Sequence, residues 1–99
     1  MKNICIDFGQ DIFVICIPDN IYDYHKKYQK MFDKWLFGDP NLRGLYVEKS
    51  GRKVASFGVD DFVNYLNEYH ITDENEKAFV VKRNVPWNDY PKDMKVLYF

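Results

Sequence analysis

Residues 3–8, NICIDF, alternate: Ile4, Ile6 and Phe8 fall on one side, and Asn3, Cys5 and Asp7 on the other. That is the period-two pattern of a strand with one buried face. A turn signal, GQD, leads into the continuous apolar run IFVICI at 12–17, which predicts a hairpin whose second strand is central in a sheet. If Phe8 pairs with Phe13 across the turn, Cys5 lies opposite Cys16; if Phe8 pairs with Ile12, Cys5 meets Ile15 and the two thiols point to opposite faces. Pro18 stops the strand, and Asp19 or Asn20 can cap a helix that starts there.

In that helix Ile21, Tyr24, Tyr28, Met31, Phe32, Trp35 and Leu36 share an arc of roughly 140° at helical spacing. Lys26, Lys27, Lys30 and Lys34 occupy the opposite side together with Asp23 and Asp33. The aromatic crowding of this stretch is therefore expected to be a core face, and the lysine face a solvated one. Tyr22 and Phe37 lie off the arc and remain available for contacts. Gly38 and Pro40 supply the stop.

The second half begins with another hairpin over 45–57, with Ser50-Gly51 at its tip and Leu45 and Val47 on one face. A shorter helix over 59–70 carries Phe62, Tyr65, Leu66 and Tyr69 as its stripe, with Asp60 and Asp61 in the first turn, where the helix dipole favours acids. Residues 77–83 and 95–99 read as two more strands, joined by the loop NVPWNDYPKDM at 84–94, which holds Trp87 and Tyr90 between two prolines. The order ββαββαββ, with short connections, predicts an α+β fold: an antiparallel sheet with two helices packed on one face. No internal repeat or linker divides the chain, so 1–99 reads as a single domain.

Composition narrows the function classes. The chain has 99 residues, 46% hydrophobic and 29% charged, which suits a folded globular protein, and a net charge of −1 provides no global field for nucleic acid. The longest apolar run, Ile12–Ile17, is too short to span a bilayer, and the first residues lack the apolar stretch and cleavage site of a signal peptide. A cytoplasmic chain with reduced thiols is the expectation. The excess of Lys, Asn, Ile and Tyr is a bias common in AT-rich bacterial and phage genomes.

Chemistry-bearing patterns are sparse. Cys5, Cys16, His25 and His70 lack the spacing of a zinc site, and no Cys–His pair has a third, orienting residue. The five glycines are isolated, so no phosphate-cradling loop forms, and no Gly-x-Ser-x-Gly occurs. We therefore expect no enzyme activity, no cofactor and no metal. Eight tyrosines and an aromatic loop suit protein contact. The expected function is a protein-binding domain of inhibitor type: an immunity protein neutralising a toxin, or a phage-encoded blocker of a defence nuclease. The candidate contact residues are Trp87, Tyr90, Tyr22, Phe37, Asp60 and Asp61. The alternatives are a nucleic-acid-binding accessory protein using the lysine face of the first helix, or a small structural or regulatory subunit.

Overall fold

Strands β1 (Lys2–Asp7) and β2 (Ile12–Ile17) form the first hairpin, turning through Gly9 at a φ of 91°. The Asp7 carboxylate accepts from the Gly9 amide at 2.7 Å, and the Phe8 amide donates to the Asp11 carbonyl at 3.0 Å. This aspartate-anchored turn pairs Asp7 with Ile12 and places Cys5 opposite Val14 and Asn3 opposite Cys16. Neither register expected from the sequence occurs, because the turn closes one step further out. The two thiols share a face but sit diagonally, and both are free and buried.

The computed structural model describes residues 1–38, 46–50 and 52–99, and the backbone alone of 46–49 and 52–55. Pro40, Leu45, Gly51 and the side chains of Tyr46, Val47 and Glu48 lie outside the described residues. The remaining elements are α1 (Asp19–Asp23), α2 (His25–Gly38), β3 (Tyr46–Lys49), β4 (Arg52–Ala55), α3 (Val59–Tyr69), β5 (Phe79–Lys82) and β6 (Val96–Tyr98).

The fold is α+β, with the four-stranded order β5-β2-β1-β6 and a separate β3-β4 hairpin. The all-antiparallel expectation is corrected at one edge: β6 runs parallel to β1. Since β5 is antiparallel to β2, β5 and β6 point the same way, and a parallel pair needs a crossover of about a dozen residues or more, not a tight turn. Residues 83–95 make that crossover. In the β3-β4 hairpin Lys49 pairs with Arg52, and Ser50 takes the positive φ of 52° that suits a primed two-residue turn.

The first helix is broken. Tyr24 leaves helical geometry at φ −116° and ψ 34°, separating α1 from α2. The break shifts the phase of the predicted stripe, so Tyr24 is exposed while Ile21, Phe32 and Leu36 are buried. These pack with Phe62, Val63 and Leu66 of α3 against Ile4, Ile6, Ile15 and Ile17 on one face of the sheet. Phe32, at 0% exposure, lies at the centre, with the rings of Trp35, Phe57, Phe62, Tyr65 and Phe99 all within 6.0 Å of its centroid. Asn67 ties α3 to the start of β5: its amide donates to the Ala78 carbonyl at 3.0 Å and its oxygen accepts from the Ala78 amide at 2.7 Å.

His70, at the end of α3, shares a hydrogen bond with the Tyr65 hydroxyl at 2.8 Å and meets the edge of Tyr28. Burial lowers its pKa below the ordinary histidine value. The folded state thus binds fewer protons than the unfolded chain near that value, so His70 contributes stability at neutral pH that is lost as pH falls below about 6.5. An NMR titration should show the His70 ring protonating below that value. The acid-side loss of stability should shrink in His70→Gln. Among the described residues no helix is long and apolar enough to cross a membrane.

Candidate partner-binding face

The register gives the sheet a second face carrying Cys5, Asp7, Ile12, Val14 and Cys16, and all five are buried. The alternation in β1 therefore does not mark a solvent side. The crossover of residues 83–95 covers this face: the Val85 amide donates to the Ile12 carbonyl and the Cys5 amide to the Lys95 carbonyl, both at 2.9 Å. Between these ties the Tyr90 hydroxyl donates to the Asp7 carboxylate at 2.8 Å.

Asp7 is 7% exposed and meets two neutral donors, Gly9 and Tyr90. A buried carboxylate is tolerable only where its oxygens are bonded, so Asp7 fixes Tyr90, and through it the loop, over the sheet. Burial, reinforced by the carboxylate beside it, raises Tyr90 well above the ordinary tyrosine value. Burial likewise raises the Cys5 thiol, which opposes thiolate formation there.

Trp87 stands on this support. It opens a short 3₁₀ turn, Trp87–Asp89, after Pro86, and its ring stacks on Tyr90 at 5.6 Å and 9° between planes. The indole is 63% exposed. A large ring held flat on an anchored neighbour is presented to solvent with little freedom left to lose. The loop is thus both lid and platform, with Tyr90 covering the sheet and Trp87 facing outward.

The same side of the sheet carries a second apolar feature. Phe79 of the edge strand β5 pairs with Cys16 and so lies on the covered face's side; Val81 falls at the register shift between Val80 and Lys82 and has no partner in the ladder. Phe79 is 54% exposed, and Val81 is exposed too. At the sheet edge the apolar run AFVV at 78–81 leaves two of its side chains open.

The other candidates are distributed. Asp60 receives a two-pronged ion pair from Arg83, at 2.7 and 3.0 Å, which joins the start of α3 to the end of β5 and holds the Asp60 carboxyl below the usual carboxylate range. Arg83 lines a shallow depression with Val85, Pro86, Asp89 and Tyr90, so Asp60 reaches the loop's border through its partner. Asp61 accepts from the Gly58 amide at 2.8 Å and caps α3. Tyr22 is half-buried, its ring under the ammonium groups of Lys95 and Lys2 at 4.5 and 5.0 Å. Phe37 is exposed in the last turn of α2, on a separate element. Among the described residues no three His, Cys, Asp or Glu side chains converge as metal ligands.

Tyr90→Phe isolates the anchoring bond. Losing a hydrogen bond to a buried charge should cost about 1.5 kcal/mol, the low end for such bonds because Tyr90 is only half-buried. The sign with pH follows from the raised pKa: the contribution is intact below the unfolded tyrosine value near 10 and is lost as pH climbs past the folded value. Denaturant melts of wild type and Tyr90→Phe should therefore converge at strongly alkaline pH.

Compared with known proteins, the chain matches no family model, no curated protein and no solved structure.

Proposed function

We propose that the protein is a non-catalytic domain that binds another protein with the loop-covered face of its sheet, using Trp87 as the anchor. The observation that carries this reading is the exposed indole stacked on a tyrosine that is itself bonded to a buried carboxylate. Tryptophan is prominent among residues that dominate binding energy, and preorganisation limits what is lost on docking. Phe79 extends the apolar contact, and the Asp60–Arg83 pair supplies a charged border, the usual division between an interface centre and its rim.

The narrower form of the proposal is an inhibitor that acts by occupying a surface of its partner: an immunity protein against a toxin, or a phage-encoded blocker of a defence nuclease. A small domain with a rigid anchor suits that task, because inhibition by occupancy requires tight docking and no chemistry.

Affinity capture from the native host, with wild-type and Trp87→Ala baits run side by side, tests the reading. A protein retained by the wild type and lost by the variant is the expected result, and a gene for that protein beside this one would favour immunity. Identical capture by both baits contradicts it. So does turnover of hydrolase, nuclease or phosphatase substrates that disappears on replacing His25, His70, Cys5 or Cys16 with Ala.

A further inference from the structure

A second surface runs from the lysine face of α2 to the far end of the loop, past Tyr90. Lys26, Lys30 and Lys34 follow one another along α2 at steps of about 6 Å, with Lys27 beside them. Their aliphatic stems surround Met31, which is partly exposed at the floor of a shallow groove. Lys26 also borders a second groove, lined across from it by Lys92 and Lys95 and floored by Pro91, Met94 and Val96. Lys95 and Lys2 then converge on the ring of Tyr22. Half of the chain's 14 lysines and arginines thus lie along one continuous track, on a protein whose net charge is −1.

None of these seven lysines forms an ion pair among the described residues, where the salt bridges are Met1–Asp19, Glu74–Lys77 and Asp60–Arg83. The only acid within α2 is Asp33, which is half-buried and whose carboxyl burial pushes upward. Asp23 and Asp93 border the track and are exposed. Like charges repeated at helical spacing repel one another, and a partner of opposite sign relieves that repulsion.

We propose that this track docks an acidic polypeptide segment that also carries apolar side chains. Charge complementarity sets the sign, and the floors set the class. Met31, Met94 and Val96 offer apolar contact between the ammonium groups, and exposed methionines suit adaptable peptide grooves. A nucleic-acid strand would ask for open ring faces along its path. Here Tyr22 is covered by two ammonium groups and Tyr90 by Trp87, leaving Tyr98. This surface adjoins the Trp87 face at Tyr90 but does not include Trp87, so either can fail without the other.

The test is an NMR titration of the isotope-labelled full chain at low salt with three probes of equal length: a peptide of about twelve residues repeating Glu-Glu-Leu, an all-Glu peptide and an oligothymidylate. The Glu-Glu-Leu peptide should bind at least ~10-fold more tightly than either other probe, shifting amides of residues 25–34 and 92–98. Lys26→Glu combined with Lys92→Glu should weaken it by roughly 10-fold without moving the melting temperature, and Trp87→Ala should leave it unchanged. Equal binding of the two peptides would reduce the track to bare charge and overturn the proposal. Tightest binding of the oligothymidylate would assign the track to nucleic acid, and shifts confined to other residues, or none, would also overturn it.

Discussion

Phe32→Ala should cost about 3–5 kcal/mol of folding stability, the range for truncating a fully buried ring. Phe32 is the point where α2 meets both α3 and the sheet, with five aromatic rings around it and no exposure to solvent. Those neighbours come from α2 itself, from residues 57–65 and from Phe99 beyond β6, three stretches held by different elements, which limits their collapse into the space the ring leaves. A loss of that size approaches the whole stability of a small domain, and the variant is expected to be largely unfolded at physiological temperature. Trp35→Ala should cost less, because Trp35 is only partly buried and packs at the edge of the same cluster. Denaturant unfolding of the two variants checks this order.

That order differs from the one read off the helical stripe, where Trp35 sits mid-arc and Phe32 beside it. Periodicity assigns residues to a face but not to a depth. Depth depends on the rings that other segments bring, here Phe57, Phe62 and Phe99, and on the break at Tyr24, which leaves Tyr24 in solvent while Ile21 stays in the core. The six strands, the α+β class and the second helix were legible because short apolar runs bounded by turn residues leave few alternatives. The parallel placement of β6 was not. A three-residue strand carries no sign of its own direction, which depends on a crossover whose path is set by Tyr90 meeting Asp7, across 83 positions of sequence.

The candidate face was legible in part for the same reason. Trp87 and Tyr90 stand out in any reading, as aromatic residues in a proline-bounded loop. What holds them is Asp7, which by alternation alone belonged to a solvent side. Phe79 was hidden because an apolar run looks the same whether its strand ends up central or at an edge. Asp60 and Asp61 were placed correctly at the start of a helix, yet their roles differ: one carboxylate pairs with Arg83, and the other caps its own helix.

Trp87→Ala should separate binding from folding. The indole is mostly in solvent and its main contact is a single stacked ring, so its removal opens no cavity in the core. If it anchors a partner, the same truncation removes a contact of the kind that dominates interfaces, about 2 kcal/mol or more, roughly a thirty-fold loss of affinity. The most direct measurement is calorimetric titration of the captured partner with wild type and Trp87→Ala, alongside thermal melts of both proteins. An affinity weakened roughly thirty-fold or more, with nearly coincident melts, is the expected result. Unchanged affinity, or a variant that melts as early as Phe32→Ala, would contradict it.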